Sequence, residues 1–200
     1  MTSHPADSAQ LPVVIVPGFH ALELTDQWVR SLPSFIRPIL CDAFPASVPA
    51  VYEWLRSHCD YAAKETRKSA IPLVGIGFSA GVVGLSGALT LWNQQHRNVN
   101  RLIAVDGWGV PVVGLPVTRM SHDRFTHASS LPLGAGDVNF YADPAVPHLQ
   151  LWGEPASAVG LEVKGWQMGH GVSMTAAEFL RRSLHAEWNA VFSWRANTYR

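Results

Sequence analysis

Residues 71–94 read IPLVGIGFSAGVVGLSGALTLWNQ, an apolar run that passes straight into a helix-like run. This passage constrains the fold more than any other part of the chain. Residues 71–77 are apolar throughout, as strands buried on both faces tend to be. Residues 79–96 follow as a helix rich in small residues, which allow close approach to a sheet. Three more runs of the first kind occur, LPVVIVPG (11–18), PILCDAF (38–44) and NRLIAVDG (100–107). Helical patterns stand between them over 26–32, with Thr25 or Asp26 as cap, and over 48–68, with Ser47 as cap. HLQLWG (148–153) and LEVKGW (161–166) predict a fifth and a sixth strand, and Thr175-Ala-Ala-Glu178 is a capping box that opens a last helix. Strands alternating with helices imply an α/β fold: a mostly parallel sheet of about six strands with helices on both faces.

The 200 residues suit one domain, here expected over 11–200 behind a flexible tail at 1–10. The segment 108–147, rich in Pro, Gly, Ser and His, predicts an irregular cap or loop; stretches of this kind are usually functional or mobile. A formal net charge of zero offers no electrostatic footprint for nucleic acid or an anionic membrane. No run approaches the roughly 18 uninterrupted apolar residues of a membrane span. The polar start, MTSHPADSAQ, does not read as a signal peptide. Cys41 and Cys59 sit in no C-x-x-C pair and read as reduced core thiols. These features together predict a cytoplasmic protein; oligomeric state is not legible.

In open α/β sheets, ligands gather at the carboxyl ends of the strands. One such end carries Gly75-Ile-Gly-Phe-Ser-Ala-Gly81, which fits two chemistries. Gly77-Phe78-Ser79-Ala80-Gly81 is G-x-S-x-G, a sharp turn that presents a nucleophilic serine. Gly75, Gly77 and Ala80 also fit G-x-G-x-x-A, a loop for a dinucleotide pyrophosphate, with Asp106 closing the next strand as the ribose acid. Against this dinucleotide reading, the fingerprint lies on the third strand, and little chain remains for another nucleotide-binding half.

A serine hydroxyl needs a base to take its proton and donors to hold an oxyanion. Upstream, Pro17-Gly18-Phe19 closes the first strand, and the Phe19 N–H is a candidate donor beside that of Ala80. Downstream, Gly169-His170-Gly171 offers a base just before the last helix. In this order the three elements resemble the α/β-hydrolase fold family over roughly residues 12–194. The resemblance implies a serine esterase, lipase or thioesterase acting on a small-molecule ester or thioester, with Ser79 as nucleophile, His170 as base, and Phe19 and Ala80 as oxyanion hole. It implies no metal and no cofactor. The acid is Asp106 or, nearer the family's commoner position, Glu154, with Asp137 and Asp143 as loop alternatives. His20, Trp108 and Trp166 are candidate substrate contacts. His148 starts a predicted strand and could also face the site. His122, Asp123 and His127 in SHDRFTH match no firm zinc spacing and read as loop-ordering residues. A dinucleotide-binding protein, or a non-catalytic binder on the same scaffold, is the alternative.

Overall fold

The computed structural model describes residues 10–66, 73–95 and 99–198. The expected tail therefore lies outside the described residues apart from Gln10, as do the first two residues of the strand expected at 71–77. The fold is α/β, with one sheet of eight strands, mostly parallel, and helices on both sides. The strands are β1 (Leu11–Val16), β2 (Ile36–Leu40), β3 (Leu73–Phe78), β4 (Val99–Val105), β5 (Val117–Ser121), β6 (Val138–Ala142), β7 (Val159–Lys164) and β8 (Val172–Thr175). Their order across the sheet is 2-1-3-4-5-6-7-8. Neighbours from β2 to β6 pair in parallel; β6–β7 and β7–β8 pair antiparallel.

Helices α2 (Val48–Thr66) and α3 (Ala80–Gln94) cover one face, packing Val51, Leu55, Val82, Leu85 and Leu89 against the sheet. Helices α1 (Leu22–Arg30), α5 (His148–Gly153) and α6 (Ala176–Thr198) cover the other, with Trp28, Trp152, Phe179 and Leu184 buried there. Burying each such side chain contributes about 1.5–3 kcal/mol. The short α4 (Arg124–Ser130) follows β5. The capping box is present: the Thr175 N–H donates to Glu178 Oε2 at 2.9 Å, and the Glu178 N–H donates to Thr175 Oγ1 at 3.2 Å. Ser47 caps α2 by accepting the Ala50 N–H at 3.3 Å.

The sheet has eight strands instead of about six, and the difference has three sources. The segment 108–147 is not irregular, because β5, α4 and β6 lie within it. Its strands carry no continuous apolar run, because they bury polar residues: Thr118, Arg119, Ser121 and Asn139 are all buried. Hydrogen bonds make this tolerable. Arg119 donates to the carbonyls of Gly134, Val110 and Leu133 at 2.7, 3.0 and 3.1 Å. Asn139 accepts the Arg119 N–H and donates to the carbonyls of Gly136 and Gly165. In addition, residues 148–153 form α5 and not a strand; six residues with Leu149, Leu151 and Trp152 suit either period. Finally, β8 adds four residues that carry no strong strand pattern. Helix α1 also starts earlier than expected, so Thr25 is not its cap. Instead Thr25 is fully buried inside the helix and accepts the Trp152 Nε1–H.

Candidate functional site

Close packing explains the turn around Ser79. A Cβ on Gly81 would run into the Val16 carbonyl oxygen, so glycine is what lets α3 start directly over β1. Ser79 links β3 to α3 at φ 52° and ψ −118°, and its N–H donates to the Val105 carbonyl at 2.8 Å. At the end of the next strand, Asp106 has φ 51° and donates its N–H to the Met120 carbonyl at 2.8 Å. Among the described residues these two are the non-glycines at positive φ. Such backbone costs roughly 1–3 kcal/mol per residue and clusters at functional sites.

The Asp106 side chain is 1% exposed, and one backbone N–H and two imidazole Nδ1 atoms surround its carboxylate. Oδ1 accepts the His122 backbone N–H at 2.8 Å. Oδ2 lies 2.8 Å from His148 Nδ1 and 3.0 Å from His122 Nδ1. His122 follows β5 and His148 opens α5 after β6, so carboxyl ends of parallel strands deliver all three residues. In the tautomer that donates an Nδ1–H to Asp106, the other ring nitrogen of His148, Nε2, is an acceptor. Its ring stacks on Phe78 at 4.8 Å. The bond from Asp106 chiefly raises the His122 pKa above its ordinary value, against the opposing effect of burial.

A cavity of about 580 Å3 opens here, lined by Ser79, Asp106, His122, His148, Trp108 and Phe125 among others. Ala80, the first residue of α3, also lines it, and its N–H is one of those a helix leaves without an internal partner. The Pro17–Phe19 turn lies against the same spot, since a Cβ on Gly18 would stand 3.1 Å from Ser79 Cβ. Phe19 itself is exposed and packs on Phe44 at 5.1 Å. Trp108, 64% exposed, is oriented by an Nε1–H bond to Ser129 Oγ at 3.1 Å.

Other expected residues lie elsewhere. His170 is exposed, and the expected pairing with Asp106 does not occur: no hydrogen bond or ion pair joins the two. It sits with Trp166 in the turn between the antiparallel β7 and β8. There Lys164 pairs with Val138, the first residue of β6, which puts the turn at the sheet edge opposite Ser79. Glu154 caps the end of α5, is exposed, and accepts from Ser157. Asp137 and Asp143 are also exposed. His20 lies behind Phe78, with ring centroids 5.3 Å apart, and bonds through Nε2 to Thr25 Oγ1 at 2.7 Å. Burial, then the nearby His148, lowers its pKa. Burial pushes the Cys41 thiol up to about 11, so it is no rival nucleophile. The dinucleotide alternative needs an Asp106 oxygen exposed to a ribose hydroxyl, and the Asp106 side chain is 1% exposed, in contact with His122 and His148. The signal for His148 was present in the chain as a histidine after Pro147, but it depended on recognising β6.

No helix among the described residues is long and apolar enough to cross a membrane. No family model and no curated protein matches the chain. Among solved structures it is similar to a thioesterase domain, that of NocB in covalent complex with a fluorophosphonate nocardicin G analog. The two are 13% identical with a TM-score of 0.48, and the alignment covers 75% of this chain and 90% of that one. At that level no role passes from one chain to the other.

Proposed function

We propose that this protein is a serine hydrolase that cleaves a carboxylic ester or thioester of a small molecule through an acyl-Ser79 intermediate, with His148 as general base and Asp106 as its partner. One observation carries the reading. Ser79, on a strained turn between strand and helix, shares a cavity with His148, whose Nδ1 lies 2.8 Å from the buried Asp106 Oδ2. Asp106 holds the His148 tautomer with the proton on Nδ1 and stabilises the imidazolium that forms later. His148 Nε2 takes the Ser79 hydroxyl proton as Oγ attacks the carbonyl carbon. The oxygen of the tetrahedral intermediate becomes an anion facing the N–H groups of Ala80 and Phe19. Collapse breaks the bond to the leaving alkoxide or thiolate, which receives the proton from His148. Water, deprotonated by His148, then attacks the acyl carbon; the bond to Ser79 Oγ breaks, Oγ takes the proton from His148, and the acid is released. Trp108 and Phe125 form an apolar wall for the acyl group.

The experiment is labelling with a fluorophosphonate probe, read by intact mass. Wild type is expected to gain one adduct, and Ser79→Ala none. An unlabelled wild type, or a labelled Ser79→Ala, sinks the reading. A stable binder without turnover would point instead to a non-catalytic relative on this scaffold.

A further inference from the structure

We propose that Asp106, His122 and His148 together hold one divalent cation of the zinc and cobalt class, and that this cation and the serine chemistry exclude each other. One ligand atom from each residue lies within 4.8 Å of the other two. Two contacts are already close, since both imidazole Nδ1 atoms approach Asp106 Oδ2, at 2.8 and 3.0 Å. Bonds of about 2.0–2.1 Å in a tetrahedral zinc site put ligand atoms about 3.3 Å apart. An ion entering this cluster therefore needs side-chain shifts of about an ångström, small for two rings at strand and helix ends. Two nitrogens and one carboxylate oxygen suit a borderline cation, whereas calcium and magnesium favour all-oxygen shells.

The groups behind the three ligands point the same way. His122 Nε2 lies 3.6 Å from Asp123 Oδ2. That is longer than a hydrogen bond, and a side-chain shift of a few tenths of an ångström lets the carboxylate accept the Nε2–H, the arrangement that fixes a ligand imidazole's tautomer and raises its basicity. Asp123 is itself held, since its Oδ1 accepts the Thr126 N–H at the start of α4. The remaining Asp106 oxygen is oriented by the His122 N–H. All three ligands border the cavity, which leaves a fourth position open to water.

The exclusion follows from one proton. In the serine mechanism His148 carries it on Nδ1 and accepts the Ser79 proton on Nε2. A cation on Nδ1 moves that proton to Nε2, and the ring can no longer act as base. This part rests on the serine-hydrolase reading; cation binding does not.

The test uses cobalt(II) alone, titrated into the metal-free full chain and followed by its visible d–d absorption. Wild type and Ser79→Ala are both expected to bind one equivalent with tetrahedral-type bands that zinc abolishes. Asp123→Asn is expected to weaken binding about 10–100-fold. His122→Asn and Asp106→Asn, each verified as folded by circular dichroism, are expected to lose the bands. Absence of the bands in wild type overturns the site, whatever the variants do. Persistence of the bands in both His122→Asn and Asp106→Asn also overturns it. Saturating zinc is expected to slow fluorophosphonate labelling of Ser79 by about tenfold or more, as loss of the general base requires. Labelling at an unchanged rate with the site filled overturns the exclusion. If metal-free wild type never labels, the hydrolase reading and the exclusion fall together, while cobalt binding stands or falls on its own spectrum.

Discussion

Two turns of this chain each set a histidine beside a conformationally special residue, Pro147-His148 after β6 and Gly169-His170 between β7 and β8. By its neighbours in the chain His170 is the better candidate base, flanked by glycines and close to the last helix. In the fold the two turns sit at opposite edges of the sheet. β6 belongs to the parallel set with β3 and β4, so its carboxyl end arrives beside Asp106. β7 runs back against β6, so the turn after it emerges near Val138, at the start of β6. Strand direction, not position in the chain, decides which histidine meets the acid. The packing differs too. α5 carries His148 and is anchored by Trp152, which stacks on Trp28 at 3.9 Å and on Phe78 at 4.8 Å. The His170 turn is tied by hydrogen bonds, among them the Gly169 N–H to the Tyr141 hydroxyl at 3.0 Å and the Asn139 side-chain amide to the Gly165 carbonyl at 3.1 Å.

The sharpest way to break this contrast is to exchange the roles of the two histidines. His148→Ala is expected to lower kcat/KM on an activated ester by about 10^5-fold or more, as removal of a triad histidine does. His170→Ala is expected to leave it unchanged, and the opposite ranking would restore His170. The next effect separates the acids. Asp106→Asn is expected to cost about 10^4-fold in kcat through the wrong histidine tautomer. Glu154→Gln, at an exposed residue, is expected to cost nothing measurable. A silent Asp106→Asn would remove the partner of His148.

A smaller effect probes the anchoring of α5. Trp152 is fully buried, and Trp152→Ala is expected to destabilise the fold by about 3–5 kcal/mol in urea denaturation. Loss of stability without loss of activity would mean that the stack does not position His148. The smallest expected effect concerns the other turn. His127 is fully buried, with Nε2 3.5 Å from the Gln167 carbonyl. Burial lowers its pKa, and the charge of Arg119 acts in the same direction despite the opposing Gln167 contact. The unfolded imidazole, near 6.5, then takes a proton more readily than the folded one. Stability from this group is present above about pH 6.5 and is lost as pH falls toward the lower folded value. The Tm of His127→Gln should therefore fall less steeply than that of wild type between about pH 6.5 and 5. Equal slopes would show that His127 does not couple that turn to pH.

The same contrast separates what could be read in the chain from what could not. Ser79 and its glycines were legible because a strand-to-helix passage with small residues leaves few ways to pack. Asp106 was legible as a strand end. Five of the six expected strands are present, four of them from β-branched apolar runs of the kind that parallel strands buried on both faces carry. β5 and β6 were hidden behind Arg119 and Asn139, whose burial makes sense only once the carbonyls they bind are in place. Missing β6 also hid the role open to His148.

By itself the sequence determined the α/β layering, the serine turn and the acid at the end of β4. Local periodicity and glycine spacing act over a few residues and need no distant partner. The tertiary structure alone decided that β6 runs parallel, that β7 turns back, and that His122 and His148 share one carboxylate. Those facts depend on pairing between strands far apart in the chain, where hydrogen bonding across the sheet and buried polar satisfaction leave no short-range trace.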